Sequence, residues 1–277
     1  MKDYNPNETL LDRAIFNISM AILDHGIQNF QFLGMNNKVG LEFEFPHQGG
    51  TSYLGAAHGA FGIYYMILKS FEYIPLPEVP MPYFKALKEA CYDVLEFQEE
   101  DGNFGIHKGP GLSNLVHWCH GAPGAIPFLL QCHEFYEDEI FLSAALKAGE
   151  LVYKTGIIKK GNNLCHGIAG NVYPLMCLYS YLKELKTEDD LNNLEDYTHQ
   201  EIDENIIKWK VRAYCIANST YIKNVQIQCA KHKDPTRKVR GLSDTLYSLM
   251  EGRMGLAVMY LDILTKNEKM LFPGHQI

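Results

Sequence analysis

One short phrase recurs four times in this sequence. HGAFG begins at His58, HGAPG at His120, HGIAG at His166 and EGRMG at Glu251. Each copy runs directly into an apolar segment: IYYMILKSF, AIPFLLQCHEF, NVYPLMCLYSYL and LAVMYLDIL. The copies lie 62, 46 and 85 residues apart. A helical-hairpin repeat occupies roughly 40–47 residues, and such a unit buries its apolar face only by stacking on its neighbours. The repeat therefore excludes most folds: the chain must be a stack of helical units. The long final gap implies an insertion at about residues 186–240.

The four segments are apolar nearly all round, as buried helices are. Between them lie stretches of another character. Residues 82–98 place Phe84, Leu87, Cys91, Val94 and Leu95 on one face. Residues 139–155 do the same with Leu142, Ala145, Leu146, Gly149 and Val152, and residues 8–24 with Leu11, Ile15, Ile18 and Ile22. These patterns predict amphipathic helices with one buried stripe, and β-alternation is weak throughout. Amphipathic outer helices alternating with apolar inner ones give an all-α chain, an α/α toroid or a solenoid. The repeated glycines fall where each inner helix starts, so the helix N-termini gather at one end, where their dipoles favour anions. The insertion is acidic in TEDDLNNLEDYTHQEIDEN and basic in KHKDPTRKVR. It reads as a solvated loop with one or two helices.

Composition narrows the function classes. The 277 residues suffice for one domain with a substantial core, taken here as 1–277. Hydrophobic residues make up 47% and charged residues 21%, a globular balance. A net charge of −8 argues against a nucleic-acid partner. No apolar run of about 18 residues suggests a membrane span. The opening MKDYNPNETL lacks the apolar stretch of a signal peptide. Seven cysteines, an odd number without a secretory signal, point to a reducing cytoplasm and free thiols.

Two of those cysteines stand in the same triplet: LVHWCHGAPG (115–124) and NLCHGIAGN (163–171). If the helices that follow are neighbours, Cys119, Cys165 and one or both of His120 and His166 converge. Helix N-termini favour thiolates. Two thiolates and an imidazole make a zinc site with a fourth position free, the catalytic kind. The alternative is that both cysteines are small buried apolar residues.

With SYLGAAHGAFGIYY (52–65), IIKKGNNLCHGIAGN (157–171) and SDTLYSLMEGRMG (243–255), these motifs make the chain resemble the LanC-like proteins. Those are eukaryotic relatives of the bacterial lanthionine synthetase cyclases. The resemblance runs from about residue 8 to the end, interrupted by the insertion. It implies an α/α toroid of seven helical-hairpin repeats, with zinc held by Cys119, Cys165 and His166. It implies, too, a chemistry in which the thiol of glutathione adds to dehydroalanine or dehydrobutyrine in peptides or proteins. By the same resemblance His58 gives acid or electrostatic help, and His120 supports a metal ligand through a hydrogen bond. Lys160 would contact a glutathione carboxylate. Arg240 and Asp244 stand near the place of a second glutathione contact, but RGLSD departs from the family's Arg-x-Pro-Asp pattern. Trp118 would either wall the pocket or belong to the core. Peripheral association with the plasma membrane is compatible with the resemblance. A zinc- and glutathione-binding scaffold without turnover is the alternative function. A sugar-active toroid would need paired acids that the loops before the inner helices do not offer.

The resemblance finds no counterpart here to the family's first repeats. The expectation is an open arc of about four to five repeats. Its end helices would show bare flanks, at Ile63, Tyr64, Met66 and Ile67 on one side and Leu256, Val258, Met259 and Leu261 on the other. The cysteines, on consecutive repeats, should still meet.

Overall fold

The structure, a computed structural model, describes residues 9–34, 38–45, 50–109, 114–158, 160–187, 199–233, 247–265 and 272–273. They form eight α-helices: α1 (Leu10–Phe32), α2 (Ala60–Ser70), α3 (Met81–Asp93), α4 (Ala122–Tyr136), α5 (Glu139–Thr155), α6 (Ile168–Thr187), α7 (His199–Lys233) and α8 (Arg253–Leu264). Only isolated bridges (Phe45 with Thr51, Tyr53 with His107, Gln98 with Phe104) interrupt the helical architecture, and the described residues include no β-strand. None of their helices is long and apolar enough to cross a membrane.

The apolar helices pack side by side in the order α2, α4, α6, α8, with α5 against α4 and α6 and α7 against α6 and α5. Among the described residues no comparable contact returns α8 to α1 or α2. The described residues thus form a partial α/α toroid, an open arc. Helix α4 shows why its sequence is apolar all round: the twelve residues Ala122 to His133 are all buried. By contrast α5 buries one stripe, Phe141, Ala144, Ala145, Ala148, Gly149, Leu151 and Val152.

The repeated phrase has a steric cause. A Cβ added at Gly62 would lie 2.1 Å from the Ala56 carbonyl oxygen. At Gly124 it would lie 2.1 Å from that of Trp118, at Gly170 1.9 Å from Leu164, and at Gly255 2.3 Å from Leu249. In all four copies the second glycine lets the first turn of an inner helix press on the backbone six residues before it. No side chain fits there.

Three expectations need correction. Within the region read as a solvated loop with one or two helices, α7 is such a helix, but it packs against α6 and α5. It buries Ile206, Trp209, Ala213, Ile216, Ala217 and Thr220. Its Trp209 is so close to α5 that a Cβ at Gly149 would sit 2.8 Å from the indole. The polar remainder of α7 disguised that stripe: Arg212 pairs with Glu150 at 2.6 Å and lies over Trp209. Next, α1 buries only part of its expected stripe: Ile15 and Ile22 pack against the core. Leu11 and Ile18 are 68% and 60% exposed, and Ser19, Leu23, Gly26 and Phe30 are buried. Small residues win because they allow close approach: Ser19 hydrogen-bonds Ser70 on α2, and Gly26 faces Phe43 and Leu41. Finally, the α2 flank is mostly covered. Tyr64 and Ile67 are buried, with the Tyr64 hydroxyl donating to the Leu41 carbonyl, and only Met66 of the expected group is exposed. On α8 the flank is mixed, with Met259 buried and Leu261 59% exposed.

Candidate metal centre and the imidazole pair beside it

Three loops, each leading into an inner helix, are stitched together by main chain. Cys119 N–H donates to the Cys165 carbonyl at 3.1 Å, and Cys165 N–H donates to the Met250 carbonyl at 2.8 Å. Each loop is also fixed from within. Asn103 Oδ1 accepts from Ala122 N–H at 3.0 Å, capping α4, while its Nδ2 donates to the Leu115 carbonyl. Asn163 Oδ1 accepts from His166 N–H at 2.9 Å. The buried Asn171 donates to the carbonyls of Val116 and Gly156, both at 2.9 Å.

This scaffold brings together one ligand atom from each of Cys119, Cys165 and His166, all within 4.8 Å of one another. Zinc bonds to sulfur and imidazole nitrogen at about 2.0–2.3 Å, so one ion can draw on all three after a small inward turn. Two soft sulfurs and a borderline nitrogen are the donor set zinc prefers. The thiols already share a proton. Cys119 hydrogen-bonds to Cys165, and with further help from His166, and against burial, this brings the Cys165 thiol down to about 6. The same hydrogen bond, then burial, pushes Cys119 well up. Cys165 is therefore the easier of the two thiols to ionise.

His120 occupies the place in the first triplet that His166 holds in the second, yet it points elsewhere. Its ring meets His58 at 5.0 Å, nearly perpendicular, and Tyr53 at 5.8 Å. Its Nδ1 is buried with no hydrogen-bond partner among the described residues. A Cβ at Gly55 would lie 1.9 Å from the Cys119 carbonyl oxygen and 3.0 Å from this Nδ1. Burial, then the charges of His58 and Lys160, lowers His120 to about 4, so the imidazole is neutral at pH 7. His58 is exposed.

His117 was not singled out by the sequence reading. It is 4% exposed, and its ring lies 6.1 Å from that of His166. Burial is the main cause of its fall to about 4, helped by Lys160. Its position two residues before Cys119 was the available signal. Lys160 is exposed, and its charge reaches His117, Cys119 and His120. Arg240 and Asp244 lie outside the described residues. Trp118 belongs to the core: it stacks on the buried Phe272 with centroids 4.2 Å apart and planes 5° from parallel.

Comparison with known proteins agrees with this architecture. Residues 8–277 match the lanthionine synthetase C-like protein family. A 179-residue stretch is 33% identical to glutathione S-transferase LANCL1 of Danio rerio, covering 63% of this chain and 42% of that protein. Over 229 residues the chain is 27% identical to LanC-like protein GCL1 of Arabidopsis thaliana, covering 82% and 44%. Among solved structures, nisin cyclase superposes with a TM-score of 0.51 at 14% identity, over 81% of this chain and 50% of that one. The chain thus spans under half the length of the curated relatives it matches.

Proposed function

The chain belongs to the lanthionine synthetase C-like family, and on that premise we propose that it holds zinc through Cys119, Cys165 and His166 and adds the glutathione thiol to dehydroalanine or dehydrobutyrine residues. The observation that carries this reading is the convergence of the three donors within 4.8 Å. Three protein ligands leave a fourth position for a thiol. When bound, zinc would supply the Lewis acidity that keeps such a thiol deprotonated near neutral pH.

The chain's own residues account for the remaining steps. Cys119 and Cys165 would act as ligands as thiolates, with both thiol protons released to solvent. Sulfur attacks the β-carbon of the alkene, an S–C bond forms, and the π electrons move onto the α-carbon and its carbonyl as an enolate. An acid must then protonate the α-carbon. His58 is the proposed donor, being an exposed imidazole beside His120. His120 stays neutral and offers no competing charge. Lys160, whose charge already reaches the cluster, is the proposed anchor for a glutathione carboxylate. The proposed setting is the cytoplasm, where glutathione keeps these thiols reduced.

The test is metal analysis of the purified protein, followed by mass spectrometry of a dehydroalanine peptide incubated with it and glutathione. About one zinc per chain and a zinc-dependent glutathione adduct are expected. Zinc without any adduct would leave a zinc- and glutathione-binding scaffold. Stoichiometric zinc retained in a Cys119→Ala, Cys165→Ala double variant would sink the ligand assignment.

A further inference from the structure

An acid that delivers a proton to one face of an enolate must be aimed. Catalytic imidazoles are usually aimed by a hydrogen bond at the second ring nitrogen. His58 has none: among the described residues its ring meets only other rings. Tyr53 stands edge-on to it at 5.0 Å and 81°, Phe45 at 5.8 Å and 74°, and His120 at 5.0 Å and 81°. Tyr53 also touches His120 at 5.8 Å and Phe45 at 5.6 Å, so of the three rings around His58 it is the one that contacts both of the others.

The backbone of Tyr53 is fixed as well. Its carbonyl accepts from Ala60 N–H at 2.9 Å, and the Leu54 carbonyl accepts from Phe61 N–H at 3.0 Å, so the pair holds the start of α2. On its other side, Leu54 N–H donates to the Ile106 carbonyl and Lys108 N–H to that of Ser52. Tyr53 is therefore anchored at both ends of the short loop that presents His58. A rigid ring beside an exposed imidazole that lacks a hydrogen-bond partner is an orienting device made of edge-to-face contacts.

We infer that Tyr53 is a positioning residue: its ring, carried on backbone tied to the start of α2 and to the 106–108 segment, aims the His58 imidazole at the reacting carbon. The inference rests on the proposed thiol addition for its catalytic meaning, but the geometry it asserts is measurable without turnover. Phe45 backs the same arrangement from outside.

The experiment compares Tyr53→Leu with Tyr53→Phe in zinc-loaded protein. With histidine ring nitrogens labelled and His58 assigned through His58→Gln, ring signals are read by NMR. Tyr53→Leu should shift the His58 and His120 ring protons by removing the aromatic neighbour, whereas Tyr53→Phe should leave them near their wild-type positions. In turnover, Tyr53→Leu should lower kcat about tenfold to a hundredfold at unchanged glutathione KM and zinc content, and Tyr53→Phe should stay within about twofold of wild type. Unmoved His58 signals in Tyr53→Leu would overturn the inference. So would a Tyr53→Phe variant as slow as Tyr53→Leu, because the hydroxyl and not the ring would then matter. A zinc-loaded wild type that forms no adduct defeats the proposed reaction, and the NMR comparison still decides whether Tyr53 positions His58.

Discussion

The two Cys-His-Gly triplets are nearly the same sequence and end in different chemistry. In the second, Cys165 and His166 both join the donor cluster; in the first, only Cys119 does. His120 turns to His58 and Tyr53 instead. The difference lies in what stands before each copy. Ahead of the first is the 53–58 loop, where Gly55 lets the chain close onto the Cys119 carbonyl and the His120 ring. Ahead of the second is the Cys119 loop itself, whose sulfur and main chain face Cys165. A repeated motif fixes where its backbone goes. Its neighbour decides what its side chains do.

The sharpest way to break this contrast is to remove each histidine in turn. His166→Ala should weaken zinc binding by more than the roughly 10–100-fold typical of residues that only support a ligand. His120→Ala should leave zinc stoichiometric and affect turnover alone. Equal zinc loss in both variants, measured by competition with a chelating dye, would erase the asymmetry.

The cysteines should differ next. Cys165 is half-buried, with its thiol brought down to about 6, and Cys119 is buried with its thiol raised. In metal-free protein at pH 7, above the Cys165 value, Cys165 is mostly thiolate. Iodoacetamide should modify it about tenfold faster than Cys119, or more, since the thiolate is the nucleophile. Peptide mapping against time gives the two rates. Because the hydrogen bond to Cys165 is the main cause that raises Cys119, Cys119 should react faster once Cys165 is blocked; an unchanged rate would contradict the hydrogen bond between them.

Lys160 sharpens the comparison from outside. Its charge acts on Cys119, His117 and His120. If it anchors a carboxylate, Lys160→Glu should weaken glutathione about tenfold, the effect of losing one charge-assisted contact, with zinc intact. Calorimetry showing unchanged affinity would return Lys160 to the solvated surface.

How much of this was legible beforehand varies with the physics. Helix α5 was visible as a stripe over 139–155 because apolar and polar residues alternate there at helical spacing. The stripe of α7 was hidden by its charges, although Ile206, Trp209, Ala213 and Ile216 follow the same period. The inward face of α1 was half legible: Ile15 and Ile22 pack against the core, whereas the buried Ser19 and Gly26 allow a close approach that leaves Leu11 and Ile18 outside. In the site, the repeated triplet announced that Cys119 and Cys165 would meet. The residues alone left His120 and His166 open as ligands, since spacing cannot say which way an imidazole turns. Phe272 beneath Trp118 joins residues far apart in the chain, a pairing no local pattern signals.

The smallest expected effect tests what the two copies share. Gly124 and Gly170 do the same job: a Cβ would stand 2.1 Å from the Trp118 carbonyl oxygen in one and 1.9 Å from that of Leu164 in the other. Neither obstacle is a flexible side chain, so the helix start must move off the loop before it. Each alanine should therefore cost about 1–3 kcal/mol, the usual range for overpacking a filled interior. That corresponds to a few degrees in Tm for a domain of this size. The two losses should agree closely, because the contact is a property of the repeat and not of the metal site. In metal-free protein, where zinc cannot stabilise one copy over the other, Gly124→Ala and Gly170→Ala should melt together. A much larger loss at Gly170, closer to its obstacle by only 0.2 Å, would mean that the second loop carries a structural burden the first does not. The contrast between the triplets would then reach down into the backbone instead of stopping at the side chains.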